Sequence, residues 1–341
     1  MLFSIVIPVY NVESYLEECM QSILCQVDKI QNDCEILLID DGSTDSSGEI
    51  CDLYSSKFPD IVKVYHKENQ GLLLTRRFGF KKSSGEYIIN CDSDDLLEVD
   101  ALGKLYEIIR KYKYPDVVIY NYNSYDGDRK KIAFNDIFTT NHDCTLKKEV
   151  VYKEFLSCHS IVSVCGKMIK RKCIDIDKDY TRFGRISTGE DTLQSIEFFT
   201  NAETYVYLNK AVYNYRYGSG MTARFDKNYY FTFKNIFEEI LLKKDIWNLE
   251  NFEKLFAVKV LQTTGRAITQ LRYNKCISFK EQKKYLKNLR NDSMLKSNLC
   301  YLYKVQGELQ FDHFILILLL KFRVYFMIIL LLKIKNHMSV Y

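Results

Sequence analysis

Residues 87–95 read YIINCDSDD: a short apolar run, Tyr87–Asn90, closes on three carboxylates, Asp92, Asp94 and Asp95. At neutral pH such groups repel one another when only a few ångströms apart. A run of this length reads as a buried strand, so negative charge is concentrated at a strand's C-terminal end. The same design repeats upstream. Leu2–Ile7 runs into Pro8-Val9-Tyr10-Asn11, Glu35–Ile39 into Asp40-Asp41-Gly42-Ser43, and Ile61–Tyr65 is followed shortly by Asn69-Gln70-Gly71. Helical spacing fills the intervals, over Ser14–Cys25, Ser46–Phe58 and Leu72–Lys82, and continues in Asp100–Tyr112 before a fifth strand, Asp116–Tyr120. This β-α-β-α order predicts an α/β fold, a mostly parallel sheet with helices on both faces and right-handed crossovers. All strand C-termini then share one edge, where open α/β sheets bind their ligands.

The residues at that edge suggest a ligand. Aspartates separated by one residue project to the same side of an extended backbone. Hard cations such as Mg²⁺ or Mn²⁺ take oxygen ligands and keep positions for water and substrate phosphate, which suits a metal shared with a diphosphate. Helix capping is the competing explanation for an acid here, but it accounts for one aspartate and not three. Asp40 and Asp41 are open to similar alternatives: a turn leading to an N-cap at Thr44 or Asp45, or a hydrogen bond that Asp41 accepts from a nucleobase imide. Tyr10 could stack on a base or simply pack.

Four ordered segments, SIVIPVYNVESYLEECMQSIL (4–24), EILLIDDGSTDSS (35–47), ENQGLLLTRRFGF (68–80) and GEYIINCDSDD (85–95), resemble the N-terminal domain of family 2 glycosyltransferases of GT-A (Rossmann-like) fold. The resemblance implies that Pro8, Tyr10, Asn11 and Asp41 line the nucleotide pocket, with Asp41 on the base. It implies that Arg76 faces the nucleotide, that Asp92 and Ser93 contact the nucleotide sugar, and that Asp94, with Asp92, binds Mn²⁺ or Mg²⁺ as the DxD motif. Asp95 is left to start the next segment. Arg77 departs from the family's usual Asn, and Thr75 from a common Ala. A later segment, STGEDTLQS (187–195), resembles the family's acidic pair at a helix start, which implies Asp191 as the general base and Glu190 as its neighbour; acids favoured by the helix dipole at an N-terminus are the alternative. VCGKMIKRKCI (164–174) and YNYRYGSGMT (213–222) resemble acceptor-side and diphosphate-side segments, which offers Lys167, Arg216 and Ser219 as contacts. The implied reaction is inverting transfer of a sugar from a nucleotide-diphosphate donor, expected to be a UDP-sugar, to an acceptor hydroxyl. A nucleotidyltransferase would carry a Gly-rich loop after the first strand, and PVYNVES has no glycine. A non-catalytic glycan-binding subunit would not need Asp41, Asp92, Asp94 and Asp191 together. No nucleic-acid partner is expected.

A length of 341 residues with 47% hydrophobic content allows one large domain or two ordinary ones and argues against global disorder. Eleven cysteines at irregular spacings form no CxxC pair, and the five histidines do not cluster with them, which argues against zinc. The odd count and the absence of a signal-peptide pattern suggest reduced thiols in cytoplasm. Glu190–Asn201 reads as a helix and Thr204–Tyr207 and Ala211–Tyr215 as strands, and from about Lys227 the pattern turns helical, over Tyr229–Asn248, Glu253–Arg272 and Lys280–Leu289. The expected division is therefore a GT-A domain over 1–225, with a nucleotide-sugar half at 1–120 and an acceptor half at 121–225, and a helical region over 226–341.

Charge is uneven. Residues 259–341 hold 15 Lys and Arg against 4 Asp and Glu, although the whole chain carries only +4. Within this region FILILLLKFRVYFMIILLLKIK (314–335) is long enough to approach a membrane span, but Lys321 and Arg323 fall at its centre, where a cation is costly. A helix lying in the interface suits the charges better, with burial in a homodimer as the alternative. The expected location is the cytoplasm, peripheral on the inner face of the cell membrane, with a glycan or lipid-linked acceptor in capsule, exopolysaccharide or cell-wall assembly.

Overall fold

The computed structural model describes residues 1–31, 33–125, 130–131, 138, 140–157, 160–216, 225–273 and 277–338. The chain divides into two compact units, residues 1–151 with 160–219, and residues 152–159 with 220–341.

The first unit is built on one sheet. Its strands are β1 (Phe3–Val9), β2 (Cys34–Asp40), β3 (Val62–His66), β4 (Tyr87–Asn90), β5 (Leu96–Leu97), β6 (Val117–Tyr125), β7 (Lys130–Lys131), β8 (Cys144–Leu146), β9 (Lys167–Lys170) and β10 (Tyr205–Arg216). The order across the sheet is β3-β2-β1-β4-β9-β6-β10-β5, with β7 on β6 and β8 on β10. The four strands anticipated in 1–90 form a parallel set, in register from Val6 opposite Leu37 and Asn90. β1, β2 and β4 are buried along their whole length, as expected of parallel strands covered on both faces.

Helices α1 (Leu16–Leu24), α2 (Ser47–Lys57), α3 (Leu72–Lys82), α4 (Ala101–Lys111), α5 (Lys148–Ser157) and α6 (Glu190–Asn201) follow in chain order. Alternation along the strands sorts the two faces. Phe3, Ile5, Ile7, Ile36, Leu38 and Ile89 pack with Met20 and Ile23 of α1 and with Leu102, Leu105 and Ile109 of α4. Val6 and Ile39 point to the other face, against α3, where a Cβ on Gly79 would lie 2.4 Å from Val6 Cγ1. Glycine is needed there for helix and sheet to meet. The arrangement is a mixed α/β sheet with helices, in which the first four strands run parallel as the sequence implied.

Two features differ from the periodicity reading. β9 inserts antiparallel between β4 and β6, so the fifth anticipated strand does not pair with the fourth. Its four residues, KMIK, are too short to carry a period. The two strands anticipated over Thr204–Tyr207 and Ala211–Tyr215 are one bulged strand, β10, with register shifts between Leu208 and Tyr213.

The second unit is helical: α7 (Tyr229–Leu241), α8 (Lys244–Trp247), α9 (Phe252–Thr269), α10 (Phe279–Asn291), α11 (Ser293–Asn298), α12 (Phe311–Lys321) and α13 (Tyr325–Met338). Trp247 stacks on Tyr152 and meets Phe155 edge-on. The apolar tail is two helices separated at Phe322–Val324, with Arg323 at φ 63°. Among the described residues no helix is long and apolar enough to cross a membrane.

At the end of the sheet remote from the polar loops, Glu35 is fully buried. It accepts from Ser4 Oγ at 2.7 Å, Ser84 N at 2.6 Å and Lys63 Nζ at 2.7 Å. Burial alone would raise its carboxyl, but Lys63 and these donors outweigh it and lower the pKa to about 2. The stabilising contribution is therefore complete above the ordinary value near 4.5 and is lost as pH falls through about 2. Glu35→Gln should cost about 2 kcal/mol at pH 7 in urea unfolding and should flatten the stability loss between those two pH values. An unchanged acid profile would contradict this role.

Candidate active site

The centre of the polar edge is a buried cation. Arg76, on α3, is 1% exposed and bridges two carboxylates. Nη2 donates to Asp92 Oδ1 and Oδ2 at 2.8 and 2.9 Å, and Nη1 donates to Asp191 Oδ1 at 2.6 Å. Burial disfavours the guanidinium charge, but Asp92 and Asp191 hold it firmly protonated. Asp92 would likewise be raised by burial, and Arg76 holds it below the usual carboxylate range. Asn90 Nδ2 and the Cys165 thiol also donate to Asp92, at 3.2 and 3.3 Å. The nine described cysteines are free thiols.

The other two acids of the DSDD motif have different surroundings. None of the three caps a helix, because β5 intervenes and α4 begins only at Ala101. Asp95 does more than start the next segment. It is buried, accepting from Tyr213 Oη at 2.6 Å and from Arg216 N at 2.7 Å. Burial, then the Asp92 charge, push its carboxyl up to about 8 against those donors. Tyr213 Oη in turn accepts from Asp92 N at 3.1 Å, so β10 clamps the motif from both ends. Asp94 is half-buried and Ser93 is buried. Arg216 Nε donates to Asp94 O at 2.9 Å, and its guanidinium pairs with Glu18. Ser219 lies outside the described residues.

Asp92 and Asp94 offer only hard oxygen donors, as Mg²⁺ or Mn²⁺ requires. Both Asp92 oxygens accept from Arg76, so Asp94 would carry most of the contact. Among the described residues no group of three or more His, Cys, Asp or Glu is arranged to hold an ion. The residues therefore fit a metal completed by substrate oxygens, not a closed cage.

At the neighbouring strand ends Asp41 is already engaged. It pairs with Lys67 and accepts from Gln70 N at 2.9 Å and Gly71 N at 2.8 Å. Gly71 stands at φ 88°, a conformation that favours glycine, just before α3. In this structure Asp41 organises the loop that delivers Arg76. Asn11, at φ 52°, accepts from Thr44 N at 2.8 Å and joins the β1 and β2 loops. Pro8 is buried in β1, opposite Ile39, and Tyr10 is exposed.

α6 brings the second acidic pair. Glu190 Oε2 is buried with no hydrogen-bond partner, and burial followed by the Asp191 charge pushes the carboxyl up to about 7. Lys167 is fully buried, donating to Val162 O at 3.2 Å, to Ser195 Oγ at 3.1 Å and to Ser163 O. Burial lowers it to about 7. It ties the 162–163 segment to α6 and has no exposed face for a ligand. The departure at Arg77 also has a partner. Its guanidinium lies 4.7 Å from the Tyr180 ring, donates to Glu197 Oε1 at 3.1 Å and to Asp175 O. Glu197 also accepts from Tyr180 Oη at 2.5 Å. Adjacent arginines on α3 thus grip α6 at two points.

This sheet, with its acid-lined edge, has a GT-A-like arrangement. Residues 4–173 match the profile "Glycosyl transferase family 2". Glycosyltransferase GlyG of Streptococcus pneumoniae serotype 4 is 34% identical over 233 residues, covering 65% of this chain and 73% of that protein. Glycosyltransferase GlyA of the same organism is 31% identical over 226 residues, 65% of this chain but only 31% of GlyA. Among solved structures, Staphylococcus aureus TarS 1–349 in complex with UDP-GlcNAc superposes with a TM-score of 0.68 at 20% identity, covering 95% of this chain and 88% of that one. At that identity the likeness concerns the fold. The chain belongs to glycosyl transferase family 2 and is a glycosyltransferase.

Glu197→Gln should destabilise by about 3 kcal/mol, because it leaves Arg77 buried without its carboxylate. Combining it with Arg77→Asn should cost clearly less than the sum of the single changes. A double-mutant cycle by urea unfolding measures the coupling, and strict additivity would count against the pairing.

Proposed function

We propose that this glycosyltransferase transfers a sugar from a nucleotide-diphosphate donor, a UDP-sugar, to an acceptor hydroxyl in one inverting displacement. The carrying observation is the Arg76 bridge between Asp92, in the donor motif, and Asp191, at the start of α6. One guanidinium fixes a donor-side and an acceptor-side carboxylate relative to each other. The TarS fragment solved with UDP-GlcNAc supports a nucleotide-sugar donor.

In this reading Asp191 is the general base. Its Oδ1 is held by Arg76, so Oδ2 takes the proton of the attacking hydroxyl. Fixing one oxygen orients the other, which is where positioning lowers a barrier. Glu190, raised to about 7, can be protonated near neutrality and donate a hydrogen bond to the acceptor. Tyr10 offers an exposed ring to the base, above a loop floor shaped by Pro8, Asn11 and Asp41. Ser93 lines the donor side, with Arg216 on the diphosphate side. Asp94, with Asp92, would hold Mg²⁺ or Mn²⁺, which when bound would neutralise charge on the leaving diphosphate. The proposed acceptor is a lipid-linked glycan in surface-polysaccharide assembly at the inner face of the cytoplasmic membrane, a step that rests on family analogy.

Asp191→Asn should keep donor affinity within about twofold and lower transfer at least a hundredfold. Titration calorimetry and a product assay separate the two, and ordinary turnover would refute the base. Asp94→Ala should remove the Mn²⁺ dependence of donor binding across a panel of nucleotide sugars. Wild-type binding that survives chelation unchanged would end the metal role.

A further inference from the structure

We propose that α10, α12 and α13 form a docking surface for an anionic lipid bilayer. The argument starts on α13. Tyr325, Ile328, Ile329 and Leu332 are buried at helical spacing and account for its packing. Yet Phe326, Met327, Leu330 and Ile334, on the other side, are also apolar and are 62, 40, 39 and 47% exposed. The first turns of α13 are thus apolar all round, a pattern that belongs in an apolar medium, and folding supplies that medium to only one face. The surface continues into the turn before α13, where Phe322 and Val324 are exposed.

α10 joins this face. Phe279 meets Phe326 edge-on at 6.2 Å, both rings exposed, and Arg290 Nε donates to Lys321 O at 3.2 Å. Opposite its buried Leu286 and Leu289, α10 exposes Lys280, Lys283, Lys284 and Lys287. Arg323 and Lys333 are exposed beside the apolar side chains. The only acid of α10 is Glu281, which is engaged in its capping box, and the sequence has no acid after Asp312.

Charge selects the occupant. A second copy would set basic side chain against basic side chain across an isologous contact. An anionic headgroup layer complements the lysines while the acyl region takes the aromatic and aliphatic side chains. Helix length fixes the mode. At about 1.5 Å per residue, α12 and α13 reach roughly 16 and 21 Å, short of a hydrocarbon core of about 30 Å. The surface therefore rests in the interface and does not cross. It rests on the lipid-linked-acceptor reading only for its purpose, not for its geometry.

The test is sedimentation of the full chain with vesicles of phosphatidylcholine alone or mixed with phosphatidylglycerol. Binding should be at least about tenfold tighter to the anionic vesicles and should weaken with salt. Phe322→Ser with Phe326→Ser and Leu330→Ser should lower it about tenfold or more, and so should Lys283→Glu with Lys284→Glu and Lys287→Glu. Circular dichroism should be unchanged in both. Asp191→Asn should bind vesicles like wild type, which keeps this result separate from the catalytic one. Equal binding to both vesicle types, unchanged binding by both variants, or a solution dimer that the serine variant dissociates would overturn the proposal.

Discussion

Burying a guanidinium is costly unless opposite charge and hydrogen bonds replace its water. Arg76 meets that condition at its two Nη atoms by holding Asp92 and Asp191 together, while its buried Nε has no hydrogen-bond partner. α3 supplies the cation, the end of β4 one anion and the start of α6 the other. The motif that looked like an electrostatic defect separates into three environments. Asp92 is neutralised by Arg76, Asp95 is satisfied by Tyr213 and the Arg216 backbone, and Asp94 is half-buried, with its backbone carbonyl accepting from Arg216 Nε. Three neighbouring acids coexist because each has its own solution to the same charge.

The grip on α6 is doubled by Arg77. Its contacts with Glu197 and Tyr180 lie one helix position from Arg76 and six residues along α6 from Asp191. Two adjacent arginines thus fix both the position and the rotation of the helix that carries the acidic pair. An asparagine at residue 77 could not reach as far or stack on an aromatic ring. The departure from the usual family residue is therefore matched by Glu197, which lies 3.1 Å from Arg77 and 3.7 Å from Lys178.

The sequence made the parallel half of the sheet legible because period and punctuation agree there. Apolar runs of strand length alternate with amphipathic helices, and each run ends in turn-forming or acidic residues. The anticipated bounds of α3, β4 and α6 coincide with those observed. Local pattern could not reveal β9, whose four residues depend on both neighbours for their strand form. Nor could it reveal that Asp95 is held by Tyr213, 118 residues away. Asp41 shows the same limit. Its place at a strand end was readable, but its engagement by Lys67, Gln70 and Gly71 depends on how a second loop folds back.

The tail illustrates a different relation between composition and form. Read as one helix, residues 314–335 would carry Lys321 and Arg323 in the middle of an apolar cylinder. The chain instead breaks at that point, with Arg323 left-handed. The cations then fall at a turn, where a backbone already interrupted leaves room for solvated side chains, and each flanking helix keeps an apolar surface. The Lys321 side chain lies 4.5 Å from the Tyr303 ring, and its carbonyl receives Arg290. A break there reconciles high apolar content with central charge, and it requires neither a membrane span nor a buried unpaired cation.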